Sequence, residues 1–209
     1  RLGACDCFRL PFVTSILNHR IENAIATHEK EYRDYLTRAY NRRGFVYMVE
    51  RFLNHCEDRT RYGILYFNIK NFKATNELLG VKEGDCILQS FCKSIERSFL
   101  HPVYTARVEA DHFVSFVERD RISLKKLEEF CNQTFEIYNK KIRVHSCCGI
   151  FYLKDENMPV AGMVDRAKLA KQHIVDEYLK PYAVFDQKME MEYIDKAEIA
   201  AAFEEAIIN

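Results

Sequence analysis

Apolar residues along this chain follow two spacings, one repeating every three to four positions and one repeating every second position. From Val13 to about Tyr35, Leu17, Ile21, Ala24, His28 and Tyr35 recur at helical steps, which predicts one long helix that pairs along a narrow seam. A second helix is expected over Arg42 to His55. Tyr62 to Ile69, reading YGILYFNI, is a short aromatic and β-branched run of the kind that forms a buried strand. A helix then follows Gly84 on the stripe Ile87, Leu88, Phe91, Ile95 and Phe99. Val103 to Val108 and His112 to Val117 form a hairpin across Glu109, Ala110 and Asp111, a turn without the usual glycine. Leu124, Leu127, Phe130 and Phe135 mark another helix, with Ser123 as its N-cap. Ile142, Val144, Ser146, Cys148 and Ile150 alternate, as in a strand with one buried face. Val160 to Lys180 is again helical through Met163, Val164, Ala167, Ile174 and Tyr178, and Tyr182 to Phe185 is a short strand. The Ala- and Glu-rich stretch from Met189 to Asn209 closes the chain as a helix.

The resulting order is β-α-β-β-α-β, preceded by helices and followed by an extra helix and strand. Hairpins mixed with helical crossovers predict an α+β fold: a central antiparallel sheet with helices packed on one face, the ferredoxin-like arrangement, after a long N-terminal helix. Such a fold hosts many chemistries, so function has to come from particular residues.

Composition narrows the field. The 209 residues are 48% hydrophobic and 30% charged, as in an ordinary globular chain. Thirty-one basic residues balance thirty-one acidic ones, so no long-range field gathers phosphate backbones, and no nucleic-acid partner is expected. No apolar run approaches the ~20 residues that span a bilayer, and the N-terminus lacks a secretory pattern. The cysteines at 5, 7, 56, 86, 92, 131, 147 and 148 include no C-x-x-C pair. They are expected to be reduced and structural, which suits a cytoplasmic protein; Cys5-x-Cys7 as a ligand pair is the alternative. Cys147 and Cys148 are strand neighbours that point to opposite faces.

Several motifs, in order, resemble one family. Asp34-Tyr35-Leu36-Thr37, with Asn41, Arg42 and Phe45, resembles the D-x-L-T-x-L-x-N-R-x-x-F opening motif of GGDEF domains, the fold of diguanylate cyclases. Asn68-Ile69-Lys70-Asn71-Phe72-Lys73 stands where that family has D-I-D-x-F-K, and Asn76-Glu77 to Gly84-Asp85 is similar to N-D-x-x-G-H-x-x-G-D. Arg107-Val108-Glu109-Ala110-Asp111-His112-Phe113 takes the place of R-Y-G-G-D-E-F. Ser146 to Ile150 resembles the S-x-G-I strand, and Asp165-Arg166-Ala167 the A-D-x-A helix. The resemblance runs from about Tyr32 to Asp186.

It implies a protein of cyclic di-GMP signalling. Active members join two GTP molecules, with two acids holding divalent metal and paired glycines letting the turn approach the nucleotide. Phosphoryl transfer rests on positioning and on cationic neutralisation of spreading charge. This chain departs at those points. Asn68 replaces the first metal acid, Lys70 is a cation at a position often acidic, and Glu109 and Ala110 replace the glycines. Glu109 adds bulk and negative charge beside the phosphates. Asp111 alone matches a metal-binding acid, a poor Mg²⁺ site by itself. Lys171 lies one position early for the family's phosphate lysine, the R-x-x-D inhibition motif is absent at Leu100 to Val103, and His112 in the signature's fourth place is expected to face solvent or pack rather than act as a base. Asn76 and Asp85 keep the guanine-reading positions, with Asn71, Phe72 and Lys73 beside them. Each has a simpler reading: Asp85 as a helix-start acid, Asn76 as a cap, Asp111 as a turn residue.

Leu2 to Phe12 resembles the end of a response-regulator receiver domain, with Leu10 in place of its lysine, and Ala197 to Asn209 resembles a linker into an EAL phosphodiesterase domain. The expected organisation is a receiver remnant and signalling helix over 1–31, a GGDEF-like domain over 32–188, and a helical linker over 189–209. The expected function is a degenerate, regulatory GGDEF module that binds GTP, with Mg²⁺ if nucleotide binds, and controls a linked EAL domain. The competing expectations are a weakly active cyclase and a structural module that dimerises through the N-terminal helix.

Overall fold

The computed structural model describes residues 14–194, the side chains of 22–30 excepted. β1 (Tyr62–Ile69) lies at the centre of a six-stranded sheet. It pairs antiparallel with β3 (His112–Glu118) on one side and β5 (Lys140–Tyr152) on the other. β2 (Tyr104–Glu109) forms the hairpin with β3, with a register irregularity between Arg107 and Glu109. The long β5 serves two neighbours in succession: its first half pairs antiparallel with β4 (Asn132–Ile137), and Cys148 to Ile150 pair in parallel with β6 (Tyr182–Val184).

Helices cover both faces of this sheet, not one. Leu65, Phe67 and Ile69 pack on Ile87, Leu88 and Phe91 of α4 (Val81–Glu96). Ile64 and Tyr66 point the other way, toward Phe45 and Val49 of α2 (Arg42–Leu53) and Met163 and Ala167 of α6 (Val160–Gln172). An unbroken apolar strand such as β1 signals burial on both faces. β5 changes character along its length. It alternates at first, but every residue from Ser146 to Phe151 is buried, so Cys147 and Cys148 are both interior although they face opposite ways. None of the six described cysteines is in a disulfide.

Several boundaries differ from the pattern. α1 (Thr14–Tyr32) stops before Tyr35, which is exposed. There the Asp34 carboxylate accepts from the Thr37 amide at 2.9 Å and its hydroxyl at 2.8 Å, closing a turn in competition with the helix. The expected pairing seam therefore loses Tyr35. α3 (Phe72–Leu79) is an additional helix, and α4 begins at Val81, so Gly84 lies within it. α5 (Leu124–Phe130) is short, Ser123 makes no side-chain cap bond, and Phe135 belongs to β4. α6 ends at Gln172 because Asp176 takes the amides of Tyr178 and Leu179 at 3.0 Å, holding a turn where Ile174 and Tyr178 had continued the helical period. Residues 187–194 are helical. The receiver-like start, Cys5, Cys7 and the tail after 194 lie outside the described residues. Among those described, no helix is long and apolar enough to cross a membrane.

Gly149 sets how closely α6 approaches β5. A Cβ there would lie 1.9 Å from the Ala167 carbonyl oxygen and 2.5 Å from the Lys171 amide nitrogen, both backbone atoms that cannot swing aside. Gly149→Ala is expected to cost about 3 kcal/mol, the upper range for overpacking, measured as a lowered denaturant midpoint. A loss under about 0.5 kcal/mol would show that α6 is not seated this tightly.

Candidate functional site

The end of β1 and the hairpin turn meet on the face covered by α6. Strand alternation sends Asn68 to the same side as Tyr66, and register sets it opposite His112 on β3 and Cys147 on β5. The Asn68 Nδ2 donates to Asp111 Oδ2 at 2.8 Å and to the Ile69 carbonyl at 3.3 Å. The Ile69 amide donates to the Asp111 carbonyl at 3.2 Å. The two positions singled out as residual metal ligands are thus in contact, joined by a hydrogen bond in which the amide is the donor.

The turn keeps a glycine-like shape without glycine. Ala110 has φ 22°, in the region that favours glycine. Arg107 Nε donates to its carbonyl at 2.6 Å, while the same guanidinium contacts the Asp34 carboxylate at 3.3 and 3.4 Å. The side chains of Arg107 and Asp34 are 13% and 14% exposed, so this pair is well sheltered. It ties the opening motif to the signature turn. Sequence reading placed both motifs but not their contact.

Charge around Asp111 is mixed. Glu109 reaches Lys168 Nζ at 3.7 Å and His112 Nδ1 at 3.5 Å. His112 is hydrogen-bonded to the Tyr66 hydroxyl at 2.7 Å and packs edge-on to that ring, with centroids 5.4 Å apart. Burial holds its pKa below the usual imidazole value, opposed by Asp111 and reinforced by Lys171. Phe113, the last signature residue, is fully buried against Phe91. On α6, Lys171 is half-buried; burial first, then Lys70, lowers its pKa. Lys70 forms an ion pair with Glu177 in the segment after α6.

These residues do not fit a two-metal site. Mg²⁺ needs hard oxygen donors with surplus negative charge. Here one carboxylate already accepts from an amide, lysines stand close by, and among the described residues no three His, Cys, Asp or Glu side chains converge as ligands.

The positions that the resemblance assigns to guanine form a second cluster, beyond the Lys70-Asn71 corner. Asn71 opens α3 with φ 54° and no side-chain cap bond, and Lys73 is exposed. Gly84 lies against Asn76, where a Cβ would stand 1.7 Å from Asn76 Oδ1 and 3.4 Å from Phe72 Cζ. Asn76 Oδ1 is buried without a hydrogen-bond partner, so this side chain caps nothing. Asp85 is the fifth residue of α4, past the helix start, and makes no side-chain hydrogen bond or ion pair among the described residues. A cavity of about 170 Å³ opens under the corner, between Lys70, Asn71, Phe72, His145 and Tyr178. Lys168 and Glu177 were not singled out in the sequence. Lys168 had a signal, since it stands one helical turn before Lys171; Glu177 had none.

Known proteins share this fold. The profile described as "Diguanylate cyclase, GGDEF domain" matches residues 31–173. The chain is similar to MucR of Pseudomonas aeruginosa, a bifunctional diguanylate cyclase/cyclic di-GMP phosphodiesterase, at 23% identity over 198 residues, 86% of this chain. It is also similar to the biofilm architecture maintenance protein MbaA of Vibrio cholerae, at 34% identity over 89 residues, 38% of this chain. It spans only 29% and 11% of those two proteins. Among solved structures, the coiled coil and GGDEF domain of DgcB from Caulobacter crescentus, crystallised with c-di-GMP, superposes with a TM-score of 0.66 at 18% identity, covering 82% of this chain and 94% of that one. The sheet order, the helices on its two faces and the profile over most of its length place this chain in the GGDEF domain family of diguanylate cyclases.

Proposed function

We propose that this domain has lost cyclase activity and acts in cyclic di-GMP signalling as a regulatory module that binds GTP and passes its state to linked domains. The 2.8 Å bond from Asn68 to Asp111 carries this reading. Cyclisation needs cations held against the triphosphate to neutralise developing charge. An amide donor on the remaining acid answers that acid's charge with a hydrogen bond, and Glu109 adds charge of the wrong sign beside it. The guanine end supports retained binding. Among the described residues Asn76 Oδ1 has no hydrogen-bond partner and Asp85 makes no side-chain bond, which supports groups held for a purine edge.

GTP would act through differential affinity for two domain arrangements, since a ligand of equal affinity shifts nothing. MucR combines cyclase and phosphodiesterase in one protein, which supports a phosphodiesterase, of EAL type, linked through the helical stretch 189–209. A receiver-like unit, of which Leu2 to Phe12 would be the end, would supply the input. α1 would connect it, with the exposed Ile16 and Ile21 offering a surface for pairing with a second copy.

Three outcomes follow. Purified protein with GTP and Mg²⁺ or Mn²⁺ yields no cyclic di-GMP by chromatography; sustained turnover refutes the reading. Calorimetry detects GTP binding that weakens at least about tenfold in Asp85→Ala, the worth of one good hydrogen-bonded contact. Absence of heat would leave only a structural module. Asn68→Asp places two carboxylates face to face, so its Tm in EDTA falls by roughly 5 °C, the equivalent of about 1–2 kcal/mol, and Mg²⁺ restores part of the loss. The unmodified protein keeps one Tm with and without Mg²⁺; a rise on adding the metal contradicts the proposal.

A further inference from the structure

The helix over residues 187–194 rests on α6, and two of its acids hold it there. Asp186 starts it, with its carboxylate accepting from the Met189 amide at 2.9 Å. Glu190 reaches Lys154 Nζ at 2.8 Å and the Arg166 guanidinium at 3.5 Å. That guanidinium also lies 5.6 Å from the centre of the Tyr193 ring. Glu192 reaches His173 Nε2 at 2.9 Å. Arg166 stands two turns before His173, which caps the C-terminus of α6, so one face of α6 carries both anchors.

The two anchors respond differently to protons. The Lys154 hydrogen bond holds the Glu190 carboxyl below the usual carboxylate range, so that anchor does not change near neutrality. The second does. His173 Nδ1 lies 3.0 Å from the Leu169 carbonyl of its own helix, while Nε2 faces the Glu192 carboxylate from the other. A carbonyl and a carboxylate can only accept, so each ring nitrogen must carry a proton. A neutral imidazole has one N–H and would turn a lone pair toward one of these oxygens. The geometry therefore specifies an imidazolium. Its place at the C-cap favours the same form, because the negative end of a helix stabilises a cation.

We propose that helix 187–194 is a pH-sensitive strap on α6, fastened at all times by Glu190 and at its outer end by Glu192 when His173 is protonated. The fastened end binds one more proton than the open one. It is therefore favoured at low pH and lost as pH rises through the imidazole range, about pH 6–7. α6 also carries Lys168, 3.7 Å from Glu109 in the hairpin turn, so one helix touches both the candidate site and the strap.

Amide hydrogen exchange of residues 187–194 from about pH 5.5 to 8, expressed as protection factors to divide out the intrinsic pH dependence, tests this. Protection falls as pH rises, by up to about tenfold per pH unit for one linked proton, while β1 amides stay protected. Glu192→Gln supplies an amide that donates to neutral His173, so protection persists and loses its pH dependence. His173→Ala leaves protection low at every pH. Unchanged protection of β1 in each variant establishes that the domain is folded. A flat profile in the unmodified protein, a slope that survives in Glu192→Gln, or full protection in His173→Ala overturns the proposal. No nucleotide enters these measurements, so their outcome leaves the regulatory reading to its own tests.

Discussion

Burial of β1 on both faces determines where everything else can stand. Its odd residues are locked against α4 and its even ones against α2 and α6, so a one-residue slip would drive Tyr66 and Asn68 into the wrong core. That constraint sends Asn68 to the α6 side and brings the hairpin turn beside it, with Asp111 at hydrogen-bond distance. The chemistry at the turn is thus inherited from strand packing, and a change of residue type at a fixed place is enough to change it.

The residue types that did change do so coherently. An amide faces the acid, a lysine follows the strand, and Arg107 bonded to the Ala110 carbonyl holds a turn that glycine would adopt unaided. The architecture of the family persists because it is carried by the apolar core and by the sheltered Arg107–Asp34 pair. The charges around the turn are mixed, with Asp111 and Glu109 set among His112 and Lys168.

Much of this was legible from residue order. β1 and the hairpin announce themselves because aromatic and β-branched runs leave little alternative, and motif positions single out Asn68, Asp111, Asn76 and Asp85 as candidates. α3 escaped because Phe72–Leu79 presents no buried stripe; Leu78 is 84% exposed. β4 escaped because Asn132, Gln133 and Thr134 dilute its apolar residues at the sheet edge. α6 was read too long because Ile174 and Tyr178 happen to keep the period beyond the point where Asp176 turns the chain. At the site, the Lys70–Glu177 pair spans more than a hundred positions and exists only because the segment after α6 folds back onto the end of β1, which no local pattern encodes. Nor could spacing show that the Asn68 amide would donate to Asp111 rather than turn its oxygen outward.

Electron paramagnetic resonance of Mn²⁺ tests that last point most directly. Titrating protein into Mn²⁺ in the absence of nucleotide should leave the amplitude of the hydrated-ion signal unchanged, because Asp111, the turn's candidate ligand, is engaged by Asn68 and Glu109 faces Lys168 and His112. Loss of that signal at one ion per domain, abolished by Asp111→Asn, would show a working metal site and contradict the account.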